Sequence, residues 1–406
     1  MSKSLMSKPP TALTLAIVGG ISLVHLLNDL VQSLIVAIYP LLKSEFALSF
    51  SDIGLLTFTY QMASSFLQPL IGWVIDRYPQ PYALLVSMLL LLIGLTLIAC
   101  SADFYLLVFA ITLAGVGSAI FHPEASRLTR MASGGQYELT QSLFQLGGNF
   151  GSMLGPLAAL VIIPYGRLAI LWFTVAVLMA FSMLLPISHW SKQPTQQFAN
   201  LSHCGRYDPA FRWSAVAWPL GLLLLLMFTK YIYLFSFYSY YIFYLMDHFQ
   251  LPISAAQLKF CYFLLSVAVG TLIGGPLAKR LGRRVVIVGS MLGIIPLALL
   301  LPYVHLAWTL PLTLLIGVIL ASAFSAILVY AQELVPGRIG MISGLFFGFT
   351  AGMGGIGAAL LGQLADKTGL QSVYHCCSYF TLLGLTALLL PKSAPKRPVI
   401  QPPSTR

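Results

Sequence analysis

Three ionisable side chains fall inside apolar runs: His25 and Asp29 in SLVHLLNDLVQSLIV, and Lys230 in FTKYIYLFSFYSYYIFYL. A charge at a bilayer centre costs at least about 2.5–3.5 kcal/mol, so such groups normally face a cavity or a partner. Ser22, His25, Asp29 and Gln32 or Ser33 recur at steps of three and four, on one helical face. An imidazole titrates near neutral pH. His25 and Asp29 together could therefore load and release a proton; a static hydrogen-bonded pair is the alternative. Lys230, Tyr233, Phe237, Tyr241 and Tyr244 share another face. An ammonium with tyrosine hydroxyls below it suits an anionic head group such as a phosphonate. The competing reading pairs Lys230 with Asp29 and treats the aromatics as filler. Gln145 and Asn149, one turn apart, are further cavity candidates.

The elements that position these groups follow from composition. The chain has 406 residues, 58% hydrophobic and 8% charged, with a mean hydropathy of +0.88. Soluble domains carry about 25% charge, so an all-α integral membrane protein is expected. Apolar runs of about 20 residues give twelve spans: 15–41, 53–75, 82–100, 104–124, 138–163, 168–189, 213–246, 256–278, 285–303, 308–331, 340–364 and 370–391. The first is read as a transmembrane helix, not as a cleaved signal. The domain reading is a six-helix bundle over 1–189, a cytoplasmic linker over 190–212, a second six-helix bundle over 213–391, and a basic tail over 392–406. With the N-terminus inside, seventeen of the 22 lysines and arginines fall on the cytoplasmic side, the bias that sets orientation. The net charge of +11 is thus assigned to the membrane and not to nucleic acid. The five cysteines, Cys100, Cys204, Cys261, Cys376 and Cys377, form no CxxC pair. Their spacing fits neither a zinc site nor a disulfide framework, and no metal or cofactor is expected.

The halves resemble each other. LIGWVIDRYPQPYALLVSMLL (70–90) parallels LIGGPLAKRLGRRVVIVGSML (272–292), with Gly72 matching Gly274 or Gly275. Such repeats mark transporters, with the substrate held between the halves near the midplane. The first copy carries Gly72, Asp76 and Arg77; the second carries Lys279, Arg280, Gly282 and Arg283. Both resemble the G-x-L-a-D-r-x-G-r-r loop of the major facilitator superfamily, although Lys279 replaces its Asp and Pro79 its Gly. A carboxylate and a guanidinium near helix ends can pair in one state and release in the other, so these residues are read as a cytoplasmic latch. Gly151, Gly155 and Pro156 resemble the G-x-x-x-G-P core of the antiporter motif in drug exporters of the superfamily. The GxxxG step lets helix backbones approach, and the proline bends the helix. Ile111 stands where the family often has an arginine in span four.

His122 and Glu124, with Arg127 and Arg130 behind them, are placed at the cytoplasmic end of span four as a gate or proton exit. H-x-E is also the zinc deaminase pattern, but its P-C-x-x-C partner is absent, so no enzyme is expected. Glu333 and Arg338 are expected to form the matching contact after span ten. Long stretches, among them FHPEASRLTRMASGG (121–135) and FQLGGNFGSMLGP (144–156), resemble the phosphonate-antibiotic exporters of the superfamily. That resemblance implies two pseudo-symmetric six-helix bundles working by alternating access. It also implies export of a small anionic drug in exchange for protons across a bacterial inner membrane, with both termini cytoplasmic and a monomer sufficing. Uptake or exchange of a metabolic organic anion or sugar phosphate is the alternative. A non-transporting receptor would need neither titratable midplane groups nor the repeat.

Overall fold

A computed structural model describes residues 12–48, 50–192, 213–335 and 337–391. Residues 193–212 of the expected linker and the expected tail, 392–406, lie outside them. So do the basic positions Lys3, Lys8, Arg206 and Arg212.

Among the described residues, twelve helical crossings are arranged in two halves. The first half comprises α1 (Ala12–Ala37), α2, α3 (Ala83–Cys100), α4 (Phe104–Ala132), α5 (Tyr137–Ile162) and α6 (Thr174–Ser191). Here α2 runs through Phe50–Gln61, a π turn at Met62–Phe66, and Leu67–Arg77. The second half comprises α7 (Trp213–Phe249), α8 (Ile253–Leu281), α9 (Arg283–Leu300), α10, α11 (Ile339–Thr368) and α12 (Leu370–Phe380, continued as a 3-10 helix over Thr381–Leu389). In this half α10 is split into Leu306–Ser322 and Phe324–Leu334. Ten helices among the described residues are long and apolar enough to cross a membrane. The other two crossings among the described residues are α2, interrupted by its π turn, and α11, Ile339–Thr368.

Span four differs most from its expected bounds. It was expected to end at 124, yet α4 continues to Ala132. The charges that suggested a helix end are neutralised along the helix: Glu124 takes Arg127 in a two-point contact of 2.6 and 2.7 Å. The helix begins at Asp103, whose carboxylate accepts from Leu106 N at 2.9 Å, satisfying a donor the first turn leaves open.

Small residues set the helix spacing. A Cβ on Gly147 would lie 2.1 Å from Ser22 O, and one on Gly151 2.2 Å from Leu26 O, so α5 lies directly on α1. Gly155 faces Ser33 in the same seam. Between the halves, Gly72 of α2 meets Gly340 O of α11, and Gly275 of α8 meets Glu138 O of α5. Gly274 instead faces Ser322 within its own half. The two-fold relation exchanges α2–α11 with α8–α5, so Gly275 is the counterpart of Gly72, which fixes the register of the repeat.

Candidate functional site

The central cluster is built from α1 and α4. Asp29 Oδ2 lies 3.3 Å from His25 Nε2, and Asp29 Oδ1 lies 3.4 Å from His122 Nε2. The first pair is local, one turn along α1. The second spans two helices. His122 sits about 15 Å inside the end of α4, counting 1.5 Å per residue back from Ala132. It is therefore at the depth of Asp29 and not at the helix end. Glu124 is turned away into its pair with Arg127.

Both rings are oriented from behind. His25 Nδ1 is 2.7 Å from Phe144 O, and His122 Nδ1 is 3.0 Å from Ser118 O. A carbonyl only accepts, so each Nδ1 carries a hydrogen and each Nε2 is presented to the carboxylate. His25 is buried and stacks on Phe144 at 4.1 Å. Asn28 Nδ2 adds a bond of 2.9 Å to Asp29 Oδ1. The room comes from Gly148, where a Cβ would fall 2.4 Å from His25 Cε1 and 2.8 Å from Asp29 Oδ2. His25, Asp29 and His122 are also the side chains among the described residues that could hold a metal ion, with ligand atoms within 4.8 Å of one another.

Two cavities lie between the halves. One, of about 220 Å³, is lined by Asp29, Gln32, Tyr60, His122, Phe347 and Thr350, among others. Drug sites commonly span about 300–1,000 Å³, so this one suits a small occupant. Gln32, not Ser33, continues the polar stripe: its Oε1 accepts from Tyr60 Oη at 2.6 Å and Ser118 Oγ at 3.0 Å. Ser33 is bonded to Ser152 O. The other cavity, of about 40 Å³, joins Lys230 with Gln145 and Asn149. Gln145 donates to Asn149, and Asn149 donates across the halves to Thr271 at 3.1 Å. Gln145 Oε1 is buried without a partner. Lys230 is 3% exposed and donates to Ser290 Oγ; among the described residues it forms no ion pair with Asp29.

The aromatic face of α7 is displaced from expectation. Tyr233, Phe237, Tyr241 and Tyr244 are fully buried inside the second half, packed with Phe263 and Tyr374. The cavity face of α7 is instead Met227, Tyr231, Leu234 and Tyr238. Tyr231 lines both cavities. Aromatics occur on both faces of this helix, so spacing alone did not choose between them.

Polar contacts between the halves gather at the end bearing Arg77, Arg127, Arg283 and Arg338. Asp76 accepts from Gly340 N at 2.9 Å and Met341 N at 2.8 Å, capping the start of α11. Asp76 stands beyond the apolar run of α2. Burial pushes its carboxyl up to about 6, against the pull of the two backbone donors. Arg77 lies over Trp73 and Tyr78. In the second copy the charges are exchanged: Arg283 pairs with Glu138 of α5 and with Glu333. Arg130 bonds Gln332 at 2.9 Å and approaches Glu333 at 3.6 Å. Ser126 bonds Ser343, and Ser142 bonds Ser325. Glu333 therefore serves Arg130 and Arg283, while Arg338 rests on the Trp213 ring at 5.0 Å. Lys279 and Arg280 are exposed, and Gly282 turns the chain with φ +90°. The contacts of Glu138, Arg130 and Gln332 were not legible in the sequence because the partners are 145 to 203 positions distant.

Comparison with known proteins agrees with the all-helical fold. The sequence model of the Major Facilitator Superfamily matches residues 21–358 and 223–404. The chain is 52% identical over 381 residues to the fosmidomycin resistance protein of Escherichia coli (strain K12), covering 94% of each. It is 38% identical over 397 residues to the MFS-type transporter YfnC of Bacillus subtilis (strain 168), covering 96% of each. Its fold is similar to that of FucP in the outward conformation, with a TM-score of 0.71 at 14% identity, covering 93% of this chain and 99% of that one. The human organic anion transporter MFSD10 is similar at a TM-score of 0.69 and 18% identity, covering 95% and 100%. Helices, paired halves and sequence matches agree: the chain belongs to the major facilitator superfamily.

Proposed function

We propose that this transporter exports a small anionic drug of the fosmidomycin type in exchange for protons, by alternating access, across a bacterial inner membrane. The observation that carries the reading is the convergence of His25 and His122 on Asp29, where Asp29 and His122 line the larger cavity, one tyrosine from the Lys230 cavity. The 52% identical relative supplies the drug class. Lys230, with the amides of Gln145 and Asn149, receives the anionic head group. Tyr231, shared by the two cavities, transmits occupancy of one to the other. The sealed basic end corresponds to an outward-facing state, in which the central cluster exchanges protons with the outside. Breaking the Asp76 and Arg283 contacts opens the cytoplasmic side.

The energetics favour export. Each charge moved through 100 mV is worth about 2.3 kcal/mol. A monoanion leaving and a proton entering gain about 4.6 kcal/mol together, enough for a gradient of order 10³. Everted vesicles test the reading. Proton-driven loading of fosmidomycin is expected, and it should be lost in Lys230→Ala and Asp29→Asn proteins that still insert normally. Binding without loading would instead make the protein a receptor. Normal loading by both variants would overturn the site assignment.

A further inference from the structure

The central cluster has the ligand set of a transition-metal site. Both Nδ1–H groups are committed to carbonyls, so the two Nε2 lone pairs and a carboxylate face one another across 3.3 and 3.4 Å. Three electron-rich groups converge only if something positive sits among them. A proton does this during transport. The spacing also matches a larger occupant. Zinc bonds of about 2.0–2.1 Å in tetrahedral geometry place neighbouring ligand atoms about 3.3–3.4 Å apart. The carbonyl behind each ring is the outer support that metal-binding histidines use to fix tautomer and orientation. Two imidazoles and one carboxylate suit a zinc-like ion, whereas magnesium and calcium take oxygen ligands. Three protein ligands leave a fourth position for water, and Asp29 and His122 line the larger cavity.

We propose that His25, Asp29 and His122 form a binding site for a zinc-class divalent cation that arrests transport by occupying the position the proton needs. The three ligand atoms lie within 4.8 Å of one another, so the longest separation must shorten as an imidazole swings onto the ion. The bound ion ties α1 to α4 and fills the proton position. The inhibitory effect rests on the antiport reading; the binding does not.

The test uses purified full-length protein in detergent, with any affinity tag removed. Zinc alone is titrated calorimetrically, and cobalt is used as a spectroscopic probe. One saturable equivalent is expected, with visible cobalt absorption of tetrahedral nitrogen–oxygen character. Asp29→Asn and His122→Gln should each weaken it at least tenfold, and magnesium should not compete. No saturable zinc binding, or the same equivalent retained in the Asp29→Asn/His122→Gln double variant, would overturn the site. Zinc should also halt vesicle loading by the wild-type protein. Binding without inhibition would leave the site standing and overturn its regulatory role, while transport itself is measured in zinc-free buffer.

Discussion

Gly148 separates coupling from folding. In Gly148→Ala the new Cβ meets His25 Cε1 at 2.4 Å, His25 Nε2 at 2.5 Å and Asp29 Oδ2 at 2.8 Å. Carbon contacts are comfortable near 3.5 Å or beyond, so the ring and carboxylate must part by about 1 Å. In the proton-loaded cluster, where the His25 ring is cationic, moving opposite charges from 3.3 Å to about 4.3 Å at an effective dielectric of about 20 weakens their attraction by about 1 kcal/mol. That corresponds to a five- to tenfold weaker hold within the cluster. The overpacking itself costs about 1–3 kcal/mol, which side-chain movement can absorb because the clash is with side chains. At Gly151 the clash is with the Leu26 backbone, 2.2 Å away, and the α1–α5 seam itself must open. The account therefore expects Gly148→Ala protein to insert, to bind fosmidomycin normally by calorimetry, and to lose most drug-linked proton movement in everted vesicles. Gly151→Ala should instead lower the amount of folded protein. Wild-type proton coupling in Gly148→Ala would refute the reasoning.

Four further outcomes are expected. Arg283→Ala leaves Glu138 without its guanidinium and Glu333 with Arg130 alone; with Arg283 itself 25% exposed, the loss costs up to about 3 kcal/mol, the low end for breaking a buried pair, so spin labels at the exposed positions Tyr78 and Leu281 should move apart. Asp76 gives that end a pH dependence: its carboxyl is pushed up to about 6 in the sealed state, so sealing binds a proton and weakens as pH rises from about 4 to about 6. The same labels should read a more open basic end above that window than below it, and Asp76→Asn should flatten the response. Gly72→Ala sets a Cβ 2.1 Å from Gly340 O and should hold the end open at every pH. Lys230→Met should weaken fosmidomycin binding at least tenfold in a calorimetric titration while leaving thermal unfolding within a few degrees.

Local spacing carried much of the architecture. Apolar runs and the placement of basic residues gave the crossings, and His25 and Asp29 were legible as one face because they are one turn apart in a single helix. Contacts between helices were less visible. His122 was assigned to a helix end because Arg127 and Arg130 mimic a terminus, whereas Glu124 and Glu333 neutralise them and let α4 continue. On α7, Lys230 was found through the cost of its charge, but the aromatic phase was one residue off. Cavity residues 227, 231, 234 and 238 are as compatible with the spacing as 230, 233, 237 and 241. Glu138 sits at the start of α5 in the place Gly340 holds in α11. The repeat thus carried a second latch in which the carboxylate had moved to the other helix, a substitution that a motif written for one strand of sequence does not register.

The central claim is that the His25–Asp29–His122 cluster links proton entry to anion exit. Proteoliposomes with a trapped pH indicator measure this directly, by recording proton movement when fosmidomycin is added on the side of the basic end. The account predicts a drug-dependent proton flux in the wild-type protein, absent from Asp29→Asn and sharply reduced in His122→Gln, with fosmidomycin still bound by both. Undiminished flux in Asp29→Asn, or drug movement with no accompanying proton, would contradict it.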